Sequence, residues 1–116
     1  MSKYIPKNIY DDMKKQSRAT GVNDYKANYY HESVSSRYTK NVLFTVNNIP
    51  GSDWREKGMH CFKKCTDKGD DCRILTFKKD SSNVPVTCWG MGIDGYKSRD
   101  VKSTAKNHSS YHKRTP

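Results

Sequence analysis

The chain sets 22 Lys and Arg against 12 Asp and Glu in 116 residues, a net charge of +10, and only 33% of it is hydrophobic. A chain of this length with a mean hydropathy of −1.05 has room for one small domain and no large internal active site, because it buries only about two-thirds of the surface it exposes when unfolded. No apolar run approaches the roughly 18 residues of a membrane span. Met1–Ser2–Lys3–Tyr4 is not followed by the apolar stretch of a secretory signal, so the expected address is cytosolic, nuclear or within a virion, and the expected partner is anionic.

The positive charge is spread over three segments. Residues 1–39 carry seven Lys+Arg and four Asp+Glu, residues 40–92 nine and six, and residues 93–116 six and two. The first segment reads as a helical arm. Pro6 suits a first helical turn, Asp11 lies four residues before Lys15, and Gly21 can end a helix in the left-handed conformation. A second helix is expected from Asn23 through Tyr25, Tyr29, Tyr30, Val34 and Tyr38, with Tyr25 and Tyr29 on one face. That tyrosine stripe suits packing on the protein's own sheet or docking to a partner, since tyrosine offers a large ring and a polar tip.

From Lys40 the period changes to two. Val42, Phe44 and Val46 alternate with Leu43, Thr45 and Asn47 until Asn48–Ile49–Pro50–Gly51–Ser52 breaks the strand. Further strands are expected across Met59–Lys64, Cys72–Lys79 and Val84–Trp89, with Thr66–Asp71 as a hairpin loop. Gly90, Gly92 and Gly95 permit a tight bend or a close backbone approach as the chain leaves this core. The expected fold is α+β: a four-stranded antiparallel meander over residues 40–93, one or two N-terminal helices, and a basic irregular tail over 94–116 that either binds a partner or is disordered when free.

Cys61, Cys65, Cys72 and Cys88 form the only constellation with metal-ligand chemistry, with His60 beside them. Were Met59–Lys64 a strand, Cys61 and Cys65 would stand roughly 13 Å apart, too far for one ion. Cys65 and Cys72 could meet across the hairpin as two zinc ligands or as a disulfide. The remaining reading is four small buried hydrophobes, and the missing signal peptide favours free thiols. No catalytic serine, histidine and carboxylate ordering, phosphate loop or calcium loop stands out, so no enzyme and no required cofactor are expected.

The leading expectation is a small, basic, non-enzymatic protein that binds RNA or DNA by its backbone. The tail supplies Lys97, Arg99, Lys102, Lys106, Lys113 and Arg114 for phosphates, with Tyr96, His108 and Tyr111 for stacking, and Lys63, Lys64, Arg73, Lys78 and Lys79 add charge at the hairpin. Two alternatives stand beside it. One is an accessory component of a large assembly that docks through Tyr25, Tyr29, Tyr30, Trp54 and Trp89; the other is a small inhibitor of a host enzyme encoded by a mobile element.

Overall fold

The computed structural model describes residues 29–32 and 34–113. The helix expected around Pro6–Gly21, the start of the second, Tyr25 and Arg114 lie outside those residues. The fold is α+β with an antiparallel sheet, as the sequence implies. Five strands, β1 (Tyr29–His31), β2 (Val42–Asn47), β3 (Ile74–Lys79), β4 (Pro85–Met91) and β5 (His108–Lys113), lie in the order β1-β5-β3-β4-β2. Among the described residues one α-helix, α1 (Trp54–Asp67), packs on the front face of the sheet.

Several expectations differ from the structure. Met59–Lys64 is not a strand but the middle of α1. Gly58, Cys61, Phe62 and Cys65 are its buried residues, spaced one, four, five and eight along the chain as a helix stripe requires. The helix starts where Asp53 accepts a hydrogen bond from the Glu56 amide at 2.8 Å, while the Glu56 carboxylate accepts from the Ser52 amide and hydroxyl. This is a close relative of the capping box. Thr66–Asp71 is accordingly the helix end and a single 3-10 turn, and the β3–β4 turn is instead centred on Asp80, whose carboxylate accepts from the Ser82 and Val84 amides.

The described residues of the expected second helix are not helical: Tyr29–His31 form β1, and Arg37 bridges Asp100. β1 pairs with β5, Tyr29 opposite Lys113 and His31 opposite Tyr111. Pairing with a strand outweighs a helix whose apolar stripe holds little but tyrosine. The segment 94–113 is not an irregular tail either: two 3-10 turns, Ile93–Ser98 and Ser103–Ala105, lead into β5, which pairs with both β1 and β3. The sheet is therefore no simple meander.

Side-chain alternation divides the core in two. On the front, Leu75, Phe77, Phe44, Tyr29 and Cys88 pack against Phe62, Cys61 and Cys65 of α1. Phe62 meets the rings of Tyr111 and Tyr29 edge-on, at 4.8 and 4.9 Å between centroids. Each such buried ring or aliphatic chain contributes about 1.5–3 kcal/mol. Two disulfides, Cys61–Cys88 and Cys65–Cys72, fasten the helix to β4 and to the approach to β3. Gly90 supplies the close approach: a Cβ there would stand 2.1 Å from the Phe44 ring.

On the back, Ile74, Met91 and Tyr38 form a smaller apolar cluster. Beside it Thr76 and Ser110 share a hydroxyl hydrogen bond of 2.8 Å, and Ser110 donates to the Ser36 carbonyl. Glu32, Tyr38 and His112, each no more than 2% exposed, form the polar centre of this face.

Candidate polyanion interface

Part of the back face is left open. Thr76 of β3 stands opposite Trp89 of β4, and Lys78 of β3 opposite His108 of β5, so these four side chains share one face. The Trp89 and His108 rings are stacked with centroids 6.1 Å apart and planes 27° apart. With Arg37, Val42 and Thr76 they surround a hollow of about 170 Å³.

Two cations, Arg37 and Lys78, act on the His108 ring at the hollow. Burial lowers the pKa of the His108 imidazole, and the Arg37 and Lys78 cations lower it further against a smaller pull from Asp100. Its Nδ1 is buried with no hydrogen-bond partner among the described residues. Arg37 is partly compensated by Asp100 at 3.2 Å, whereas exposed Lys78 makes no ion pair among the described residues.

Several residues expected to touch a polyanion are instead structural. Arg73 is 3% exposed and donates to the Lys113 carbonyl. Lys113 donates to the carbonyls of Cys65 and Gly69, at 3.2 and 2.7 Å, closing the C-terminal end of α1. Burial pushes its ammonium pKa down, helped by the Arg73 charge. Arg99 forks onto Glu32 at 3.0 and 3.2 Å, and Lys97 pairs with Asp94. Tyr111 packs against Phe62 and Phe77, and Tyr96 against the back cluster. Lys63, Lys64, Lys78, Lys102 and Lys106 remain exposed, with Lys63 and Lys64 on the helix and remote in the chain from the tail lysines.

Among the residues expected to dock a partner, Tyr29 is fully buried, and its hydroxyl bonds to Thr66 and the Phe62 carbonyl of α1. Tyr30 lies in β1, while Trp54 is half-exposed at the start of α1 and Trp89 half-buried on the back face. The disulfides occupy all four thiols proposed as metal ligands. Cys65 and Cys72 do meet, across the end of a helix rather than across a hairpin. Among the described residues no cluster of three or more His, Cys, Asp or Glu is placed to hold a metal, and no helix is long and apolar enough to cross a membrane.

No family model matches the chain, and no curated protein or solved structure proved similar to it.

One polar cluster has the ingredients of acid–base chemistry. The His112 Nε2 lies 2.5 Å from the Glu32 carboxylate, which also accepts from the Tyr38 hydroxyl and from Arg99. Burial would raise the Glu32 pKa, but the His112 hydrogen bond and charge, Tyr38 and Arg99 outweigh it and hold the carboxyl at about 2. Tyr38 moves the opposite way, raised by burial and by the Glu32 charge. All but Arg99 are sealed from solvent, so the cluster offers a substrate no access and serves to hold β5 to the segment that follows β1. Sequence reasoning missed it because a single Glu among hydroxyl residues carries no periodic signal. It missed Arg37 for the same reason, whereas the His108 ring and Lys78 were legible as part of the basic, ring-bearing set.

Proposed function

We propose that the protein is a non-enzymatic domain that binds single-stranded nucleic acid by its backbone across the open part of the back face. The observation that carries this reading is the Trp89–His108 ring pair set among Lys78 and Arg37. A base has a π-face to lay on such rings, worth about 1–3 kcal/mol per base, and its flanking phosphates need cations within a few ångströms. Lys102 and Lys106, exposed on the approach to β5, extend the positive charge along the chain. The two disulfides support a protein that folds where thiols oxidise, which weighs against the reducing cytosol.

The test is fluorescence anisotropy with a labelled oligothymidine and the disulfides intact. If Arg37, Lys78 and Lys106 neutralise three phosphates, affinity falls about 20-fold between 50 and 200 mM salt, following a slope near −0.7 per phosphate. Lys78→Gln then flattens that slope by about 0.7. Binding that ignores salt, or a Lys78→Gln protein with the wild-type slope, refutes the reading. So does a sulfated glycan that binds more tightly than the oligonucleotide.

A further inference from the structure

The front face holds a second concavity, on the other side of the sheet from the ring pair. Between the start of α1, the β3–β4 turn and β5 lies a cleft of about 480 Å³, within the size range of small-molecule sites. Its apolar lining is largely aromatic: buried Phe62 and Phe77, half-buried Tyr111, and Trp54, joined by Val84 and Pro85 of the β3–β4 side. Lys79 is its one Lys or Arg, and no carboxylate lines it among the described residues. The Lys79 backbone is fixed by a hydrogen bond to the Asn107 carbonyl at 2.8 Å, and the side chain makes no ion pair among the described residues.

Gly58 is the second observation. It lies inside α1 and lines the same cleft. Glycine is the poorest helix former after proline, so its presence calls for a reason. Backbone conformation is not one, because Gly58 has no positive φ. Packing is not one either: a Cβ would meet only the Phe62 ring edge, at 4.0 Å. What the missing side chain leaves is room in the cleft.

We infer that this cleft binds a small amphiphile with an aromatic or aliphatic body and a single anionic head group. The body lies against Phe62, Phe77 and Tyr111, and the head meets the Lys79 ammonium. The charge complement selects the head: one cation, with no carboxylate beside it among the described residues of the cleft, attracts an anion and leaves a cationic amphiphile unpaired. The Ser109 hydroxyl and the His31 Nε2, 3.5 Å apart on the same wall, supply polar contacts around it. No nucleophile is implied, because no carboxylate among the described residues of the cleft orients the imidazole.

The experiment is calorimetric titration of the full, disulfide-intact chain with naphthalene-2-acetate and with its neutral counterpart 2-(2-naphthyl)ethanol. The acid should bind at least tenfold more tightly than the alcohol. Lys79→Met should erase that difference, and Gly58→Leu should weaken both ligands at least tenfold while the melting midpoint holds or rises. Equal binding of the two by the wild type overturns the anionic head. Failure of both to bind, or a Gly58→Leu protein that binds like wild type, overturns the site. Sedimentation of the same samples covers the other occupant: a wild-type dimer that Gly58→Leu converts to monomer would put a second copy in the cleft and overturn the proposal.

Discussion

The two faces of one sheet are held by different physics. In front, α1 is fixed by rings that meet edge-on and by two covalent links, so its stability depends on redox state and hardly on pH. Behind, the segments after β1 and around the 3-10 turns are fixed by hydrogen bonds converging on Glu32, a buried carboxylate with an imidazole, a phenol and a guanidinium around it. A chain of low hydropathy can thus close a second core without apolar side chains, provided every buried charge finds partners. The consequence is that the two faces should fail under different conditions.

The sharpest break is Glu32→Ala. Removing the carboxylate leaves His112, Tyr38 and Arg99 facing one another without their common acceptor, and breaking a buried pair in this way costs about 3–5 kcal/mol. The acid dependence follows with a definite sign. The Glu32 pKa is about 2 in the folded protein and has an ordinary value of 4.5. Its contribution is therefore complete above pH 4.5 and is lost as pH falls toward 2. That contribution is on the order of 3 kcal/mol. Urea unfolding between pH 6 and pH 2 should show this loss in the wild type and a much shallower slope in Glu32→Ala. A variant with the wild-type slope would place the acid-sensitive group elsewhere.

The front face breaks by redox instead. Cys61→Ala with Cys88→Ala opens a bridge spanning 27 residues, and the chain-entropy account gives a loss of about 3–4 kcal/mol. The Cys65–Cys72 bridge spans 7 residues, so its removal should cost less, about 2–3 kcal/mol by the same account. Neither change touches Glu32, and both variants should keep the wild-type acid slope. A slope that shifts with either bridge would mean that the faces are coupled through the sheet. Gly90→Ala is a smaller insult to the same face: its Cβ would press on the Phe44 ring, and overpacking of this kind costs about 1–3 kcal/mol in denaturant unfolding.

What was legible in the sequence divides along the same line. β2, β3 and β4 announce themselves by apolar alternation around Phe44, Phe77 and Cys88. β5 does not, because His-Ser-Ser-Tyr-His-Lys fills its buried positions with polar groups that are satisfied only by Thr76, Ser36 and Glu32 from distant parts of the chain. Hydropathy cannot register a hydrogen bond whose partner lies 80 residues away. The helix was open to a better reading, since Asp53 with Glu56 and the stripe of Gly58, Cys61, Phe62 and Cys65 were all present. For the candidate interface, Lys78, His108 and Trp89 were in view, but their assembly on one face needed the register of β3 against both neighbours. Arg73, Lys113 and Arg99 show the converse error: a cation counted as free charge is here a partner for carbonyls or for Glu32.

The smallest of these effects tests how the helix begins. Asp53→Ala removes the acceptor for the Glu56 amide and leaves that donor to water, since this end of α1 is exposed. Loss of such a cap costs about 1 kcal/mol, whereas Asn retains the acceptor and is nearly as good. Thermal unfolding should therefore rank wild type and Asp53→Asn together, with Asp53→Ala melting lower. Because the cap serves only the front face, all three should lose stability in acid with the same slope. A loss in Asp53→Ala well above 1 kcal/mol would show that the Ser52–Glu56 contacts depend on the cap and that the entry to α1 orders as one unit with the cleft that Gly58 lines.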